Sequence, residues 1–287
     1  MTEIIASREE QVGLVPVRRA LPTRGRRTVG AWCFADHMGP ASVTEDHSVD
    51  IGPHPHCGLQ TVTWLLSGEI LHRDSVGSEQ PIRPGQLNLM TAGHGVSHSE
   101  EATGRYRGQL HGIQLWVAQP EATRHGPAAF EHHAELPTAA VGAAEATVLV
   151  GTFAGATSPA RADTDHLGVE LRLPAGPAVL PVDPGHEHAL VVLTGALVVE
   201  GDPLGPGAIA LLPPGRDEVA LAATEPTTAM LLGGTPFPDR LAMRWNWVAR
   251  TKEELDEAEA DWRASFDGGG DGRFGTVASP LARIPFP

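Results

Sequence analysis

The chain has 287 residues, of which 41 % are hydrophobic, and a formal net charge of −14. This length suits one large or two ordinary domains, and the negative charge disfavours direct binding to nucleic acid or to an anionic membrane surface. The two cysteines are too few for a disulfide framework, no apolar run could span a bilayer, and the N-terminus does not resemble a signal peptide. We therefore expect a cytoplasmic protein without a membrane segment.

The first half of the chain predicts short strands separated by turns. The whole chain has 33 glycines and 25 prolines, and these turn-forming residues are dispersed rather than clustered, which is typical of a strand-rich fold. Residues 28–34 are apolar and β-prone. Residues 61–66 and 69–74 predict two strands that form a hairpin around Ser67 and Gly68. Further strands are expected at 86–90 and 108–118, so the pattern predicts a sandwich or a barrel.

The second half of the chain predicts a related β unit. Residues 119–144 indicate a linker with a short crossing segment, and a β-rich region follows at 147–236. The strands on either side of Gly195 repeat the layout around Gly68, and the strand after Gly207 repeats the one after Gly85. This similarity indicates a weak internal duplication.

One helix is predicted, close to the C-terminus. Thr251 and Glu254 form a capping-box pattern, and residues 252–265 carry Leu255, Ala258 and Trp262 on one stripe. A Gly-rich and then extended tail follows from Gly268. The whole pattern predicts an all-β protein with this helix appended, divided into residues 1–130 and 131–287.

Two short motifs predict a metal site. His54 and His56 are two residues apart, as are His98 and Glu100, and in an extended strand such pairs point to one face. If the two strands face each other, three imidazoles and one carboxylate can surround one ion. This mixture of ligands suits iron, manganese, nickel, cobalt, copper or zinc rather than calcium. Four protein ligands leave two positions open in an octahedral shell.

Other candidate residues are weaker. Cys57 points away from the histidine pair by strand alternation, so we expect a small buried side chain there. His72 and His111 lie on predicted strands and are interpreted as hydrogen-bonded core histidines, although His111 could also line the pocket. Trp116 is expected in the core.

The second β unit is expected to lack a complete metal site. His186 and His188 precede its strand, in the place of His54 and His56. The position that corresponds to His98 is Ala220, which cannot bind a metal ion. We interpret this half as structural.

Three segments resemble the signatures of the pirin family: residues 54–68, 84–100 and 112–117, with a looser similarity at 244–248. The resemblance implies two tandem cupin (jelly-roll-like) β-barrels with a C-terminal helix: residues 1–130 with a metal site, and 131–287 with a degenerate site. It places the metal ligands at His54, His56, His98 and Glu100, and favours iron(II). Gln60 departs from the family pattern, in which a glutamate often stands there, and His94 replaces a frequent arginine.

The resemblance implies a dioxygenase that opens quercetin-like flavonols with dioxygen, with Glu100 as the group that takes the proton of the flavonol 3-hydroxyl. An alternative is a non-catalytic pirin that binds metal and regulates a partner protein, acting itself as a transcription cofactor or as a modulator of a metabolic enzyme. A third reading is a cupin that acts on a small molecule unrelated to flavonoids, because fold and metal do not determine substrate.

Overall fold

The computed structural model describes residues 2–13, 15–44, 50–266 and 272–287, and it is mostly β-structure, as predicted. The first half of the chain forms the strands β1 (Glu3–Ala6), β2 (Arg8–Val12), β3 (Val15–Leu21), β4 (Trp32–Val43), β5 (Ile51–His56), β6 (Leu59–Ser67), β7 (Ile70–Asp74), β8 (Glu79–Ile82), β9 (Leu87–Thr91), β10 (Val96–Glu101), β11 (Gly108–Ala118), β12 (Ala129–His133) and β13 (Thr138–Val141). The segment predicted as a linker thus contains two short strands.

The second half continues with β14 (Ala144–Val150), β15 (Thr152–Phe153), β16 (Ala156–Thr157), β17 (His166–Leu173), β18 (Gly176–Pro181), β19 (Glu187–Thr194), β20 (Leu197–Val199), β21 (Asp202–Leu204), β22 (Ala208–Leu212), β23 (Glu218–Ala223), β24 (Thr227–Gly234), β25 (Ala242–Arg244), β26 (Trp247–Ala249) and the helix α1 (Lys252–Ala264). Within the described residues, no helix is both long enough and apolar enough to cross a membrane.

The chain divides into two compact units that exchange terminal segments. The N-half unit comprises Gln11–Pro16, Met38–His132 and Pro238–Pro287, and the C-half unit comprises Met1–Glu10, Val17–His37 and His133–Phe237. The chain passes from the N-half unit to the C-half unit between residues 132 and 133. Within the C-half unit β1 pairs with β22, and the segment with α1 belongs to the N-half unit.

Two sheets form the N-half unit. The smaller has the strand order β5-β10-β7-β8. The larger contains β12-β9-β6-β11 and continues through β4, β3 and β2, whose residues are divided between the two units. Every residue of β9 and β10 is buried, which makes their side chains part of the interior.

The C-half unit repeats this arrangement. Its sheets have the orders β1-β22-β19-β24-β17-β14-β13 and β18-β23-β20-β21. Side chains from both sheets meet in one core, which includes Val169 and Leu190 from the larger sheet and Val219 and Leu221 from the smaller. Burial of this shared apolar face stabilises the two-sheet arrangement.

The predicted hairpin around Gly68 is wrong. β6 pairs with β9 and β11, whereas β7 pairs with β8 and β10, so the chain crosses from one sheet to the other at Gly68. Gly195 marks the same crossing between β19 and β20. Gly68 has a φ of 109°, and a Cβ there would lie 2.6 Å from the Leu110 side chain. A strand–glycine–strand pattern does not distinguish a hairpin from such a corner.

The predicted helix is confirmed over Lys252–Ala264, and its stripe of Leu255, Ala258 and Trp262 is buried. The Thr251 side chain accepts a hydrogen bond from the backbone N–H of Glu254, as expected of a helix N-cap. The apolar stripe packs with Cys57 and Trp247 in one cluster. The Gly-rich start of the predicted tail, at 267–271, lies outside the described residues.

We predict that Gly58→Ala destabilises the protein more than Gly77→Ala does. Both glycines have positive φ, +69° and +94°, so each alanine carries a backbone penalty of about 1–2 kcal/mol. A Cβ at Gly58 would also lie 2.1 Å from the Val248 carbonyl oxygen, whereas nothing lies within 4 Å at Gly77. Urea unfolding should therefore show a further loss of about 1–3 kcal/mol for Gly58→Ala. Equal losses would contradict a rigid contact at this point.

Candidate metal centre

One face of the sheet β5-β10-β7 carries the predicted site. β10 pairs in antiparallel register with β5, where His98 lies opposite His54, and with β7, where His98 lies opposite Asp74 and Glu100 opposite His72. Because alternate residues share a face, the strand pairing places six polar side chains together. They are His54 and His56 from β5, His98 and Glu100 from β10, and His72 and Asp74 from β7.

Three imidazoles converge on this face. His54, His56 and His98 each offer a ring nitrogen, and these three atoms lie within 4.8 Å of one another. The Nε2 atoms of His56 and His98 are 3.0 Å apart. All three side chains are buried, with exposed fractions of 7, 1 and 2 %. In the described part of the chain, this is the only such group of three or more potential metal ligands.

Backbone carbonyls orient two of the rings. His54 Nδ1 lies 2.9 Å from the Gly52 carbonyl oxygen, and His56 Nδ1 lies 2.9 Å from the Asn246 carbonyl oxygen. A carbonyl oxygen only accepts, so Nδ1 must donate in each case. In the neutral ring this leaves Nε2 with a free lone pair that points into the cluster.

A side-chain relay orients the third ring. The Asp74 carboxylate accepts from the backbone N–H groups of Val76 and Ser78 and lies 3.0 Å from His72 Nε2. His72 Nε2 therefore donates to Asp74, and His72 Nδ1 is left as an acceptor. His98 Nδ1 lies 3.4 Å from His72 Nδ1 and donates to it. The lone pair of His98 is then also on Nε2.

The three rings are neutral. Burial lowers the pKa of His54 to about 4 and lowers the pKa values of His56 and His98 well below the usual range. Two lone pairs that face each other at 3.0 Å repel unless a cation lies between them. Because burial disfavours a proton there, the donor set fits a bound transition-metal ion.

Glu100 lies on the same face but outside the group of three. At least one of its distances to the three imidazole nitrogens exceeds 4.8 Å. The ladder between β5 and β10 is irregular between His98 and Glu100, with an extra residue on β5, whereas the ladder with β7 is regular. This irregularity separates Glu100 from the β5 histidines. Burial raises the pKa of Glu100 to about 7.

Of the other residues singled out from the sequence, Cys57, Gln60 and Trp116 are buried and His94 is exposed. Cys57 is buried in the cluster with Trp247, as expected, and burial raises the pKa of its thiol to about 11. Gln60 is fully buried and donates from Nε2 to Thr91 Oγ1 at 3.0 Å. Trp116 is buried as expected, and its ring packs edge-on against His56 at a centroid distance of 5.1 Å.

Four contributors to the site were not predicted. The sequence indicated His72 only as a hydrogen-bonded core histidine, and it indicated no role for Gly52, Asp74 or Asn246. The spacing of His72 and Asp74 was a usable signal, because it repeats the alternate-residue pattern of the two predicted pairs. Asn246 acts through its backbone carbonyl, which leaves no signal in the residue type.

Comparison with known proteins identifies the family. Residues 14–117 match the family model described as Pirin, and residues 168–267 match the Pirin C-terminal cupin domain. The chain belongs to the pirin family. The predicted double-cupin architecture is confirmed by these matches. Membership and the three-imidazole cluster together support a metal cofactor.

Several pirin relatives are similar over nearly the whole chain. A protein of Pseudomonas aeruginosa that is named as a candidate quercetin 2,3-dioxygenase is 42 % identical, with 96 % of this chain and 86 % of that protein covered. A pirin-like protein of Caulobacter vibrioides is 39 % identical, with 91 % of this chain and 92 % of that protein covered.

Solved structures show the same pirin fold. A crystal structure of quercetin 2,3-dioxygenase from Acinetobacter baumannii has a TM-score of 0.94 and 38 % identity, and covers 100 % of this chain and 95 % of that one. The bacterial pirin YhhW from Escherichia coli, solved with nickel(II), has a TM-score of 0.64 and 16 % identity, covering 82 % of this chain and 100 % of that one. The latter similarity concerns the fold alone.

We predict that His72→Phe weakens metal binding about 10- to 100-fold, as is typical when the partner of a ligating histidine is lost. Phenylalanine can keep the stacking of residue 72 on Phe130 but cannot accept from His98 Nδ1. Competition with a chromophoric chelator measures the affinity. His72→Asn is the matched variant, because its amide oxygen lies close to the position of His72 Nδ1, can still accept and should preserve most of the affinity. Equal affinities in the two variants would contradict the relay.

Proposed function

We propose that this pirin is a metal-dependent dioxygenase that opens quercetin-like flavonols with dioxygen. The observation that carries the proposal is the convergence of three buried, neutral imidazoles whose lone pairs require a cation. The quercetin dioxygenase names of its relatives supply the substrate class and the co-substrate.

In this proposal His54, His56 and His98 bind the metal through Nε2, and Glu100 is the fourth ligand. Glu100 shares the sheet face of His98 and lies two residues further along β10, which supports this assignment. Iron(II) is the proposed native metal, with manganese, nickel, cobalt, copper and zinc as alternatives that the same ligands can bind.

The bound metal would supply Lewis acidity towards the 3-hydroxyl and the neighbouring carbonyl of the flavonol. The protein residues have separate tasks. Glu100 accepts the proton that the 3-hydroxyl loses, since Asp74, the other carboxylate on this sheet face, already accepts from His72 and from two backbone N–H groups. Trp116 and Phe130 pack against His56 and His72 and provide apolar surface that limits the access of water. The overall reaction consumes one dioxygen and releases carbon monoxide and a depside.

We expect the metal-loaded protein to consume quercetin and dioxygen and to release carbon monoxide. The assay should be run separately with iron, manganese, nickel, cobalt, copper and zinc, following quercetin absorbance and dioxygen uptake together. His98→Ala is the matched control, because it removes one of the three imidazoles. The proposed activity is ruled out if, with each of the six metals, the unmodified protein turns over quercetin no faster than His98→Ala does. Near-stoichiometric capture of a partner protein independent of metal would then favour the regulatory reading.

Glu100→Gln should retain the metal but lose about 10²–10⁴-fold in turnover, the usual range for a general base. Three imidazoles remain to hold the ion, whereas the amide cannot take the proton. Elemental analysis gives the metal content and the quercetin assay gives the rate. The control is Glu79→Gln, because Glu79 is an exposed carboxylate on β8 of the same sheet. Full activity with full metal content in Glu100→Gln would show that Glu100 is not the base.

A further inference from the structure

The C-half unit contains a cavity that the proposed metal centre does not use. Its volume is about 430 Å³, within the range of small-molecule sites. Phe153, Leu167 and Leu231 give it apolar walls, and His166, His186 and His188 contribute imidazoles. All six side chains are buried.

The three imidazoles leave ring nitrogens without partners. Among the described residues, no hydrogen-bond partner exists for His166 Nε2, for His186 Nδ1 or for either nitrogen of His188. Leaving a buried polar atom unpaired costs about 1–3 kcal/mol. Four such atoms around one cavity point to a ligand that satisfies them.

The opposite ring nitrogens determine which of these atoms accept. His166 Nδ1 lies 2.8 Å from the Thr164 hydroxyl oxygen and 3.0 Å from the Thr164 carbonyl oxygen. The carbonyl only accepts, so Nδ1 donates and Nε2 of the neutral ring is an acceptor. His186 Nε2 donates to the Asp165 carboxylate at 3.1 Å, so Nδ1 of the neutral ring is an acceptor. Neutral His188 offers one donor and one acceptor. Burial lowers the pKa of His188 to about 4 and also lowers the pKa of His166, which keeps both rings uncharged.

The surroundings argue against a charged ligand. None of the described residues that line the cavity is a lysine or an arginine, and Asp165 and Asp183 are on its lining, which disfavours an anion. These two carboxylates already accept hydrogen bonds from His186, Thr235 and Gly185, so they do not require a cation. Within the described chain, no three potential ligand atoms of this cavity lie within 4.8 Å of one another, so no metal triad is preformed.

We propose that this cavity binds an uncharged small organic molecule that carries hydroxyl groups on an apolar, phenol-like frame. Hydroxyl hydrogens donate to the imidazole acceptors, a hydroxyl oxygen accepts from His188, and the frame packs on Phe153, Leu167 and Leu231. The site lies entirely within the C-half unit and is separate from the flavonol site proposed above.

The probe is resorcinol, whose two hydroxyl groups are not adjacent and do not chelate metals. Binding is followed by the imidazole ¹H–¹⁵N resonances in the His98→Ala background, which disables the proposed metal centre. We expect saturable binding at one site per chain, with shifts at His166, His186 and His188. The quercetin assay uses the unmodified protein and a different site, so a negative result in this titration does not count against the proposed dioxygenase activity.

Two variants locate the binding. His188→Leu removes both unpartnered nitrogens at similar volume and should weaken binding at least tenfold. Ala162→Trp is a substitution at an exposed lining position, so it should block entry without disturbing the core. His133→Leu, outside the cavity lining, should bind resorcinol as before. The proposal is overturned if resorcinol does not bind to the folded His98→Ala protein. It is also overturned if resorcinol binds but neither His188→Leu nor Ala162→Trp changes its affinity. Tighter binding of zinc or of tyramine, a phenol with an ammonium group, would overturn the assignment to an uncharged ligand.

Discussion

Three imidazole lone pairs that face one another in a buried space are the constraint on which the site depends. Such an arrangement is repulsive on its own, and it persists only if each ring is held by its other nitrogen. Two of the acceptors are backbone carbonyls, of Gly52 and Asn246, and the third is the imidazole of His72. Each of them removes the alternative tautomer, so Nε2 is the only nitrogen that can bind a metal.

This constraint links the C-terminal segment to the site. Asn246 immediately precedes β26, and Trp247 of β26 packs with Cys57 and with the buried stripe of α1. The backbone N–H of Val248 also donates to the Cys57 carbonyl at 3.1 Å. Cys57 follows His56, so the helix and its preceding strand position the carbonyl that orients His56. The helix therefore supports the site although none of its residues belongs to it.

The sequence predicted the parts of the site that follow from strand alternation. The pairs at His54/His56 and His98/Glu100 could be assigned to one face because each strand is extended. What could not be predicted is which strands are neighbours. The strand after Gly68 was assigned to a hairpin with β6, whereas it pairs with β10 and so places Asp74 opposite His98. The role of His72 and Asp74 depends on that pairing, and a single sequence does not reveal it.

The same sheet corner explains why the duplicated half differs. In the C-half unit β20 pairs with β23 as β7 pairs with β10, but there Val199 lies opposite Leu221 and Leu197 opposite Ala223. These apolar pairs belong to the core. Counted from the crossing glycines Gly68 and Gly195, Val199 stands in the place of His72, so the Val199–Leu221 pair replaces the His72–Glu100 pair. The C-half unit thus retains two histidines at the start of β19 but lacks both a third ligand from β23 and the relay that would orient it.

Loss of the relay changes what the remaining histidines can do. In the N-half unit, the partner of each ring directs its Nε2 to a common point. In the C-half unit, none of the described residues is a partner that selects a tautomer of His188, and His166 comes from a different strand, β17. A metal ion needs lone pairs that converge, whereas an organic ligand with several hydroxyl groups can satisfy lone pairs that diverge. The duplication therefore provides two histidine-lined sites whose chemistry differs because their hydrogen-bond partners differ.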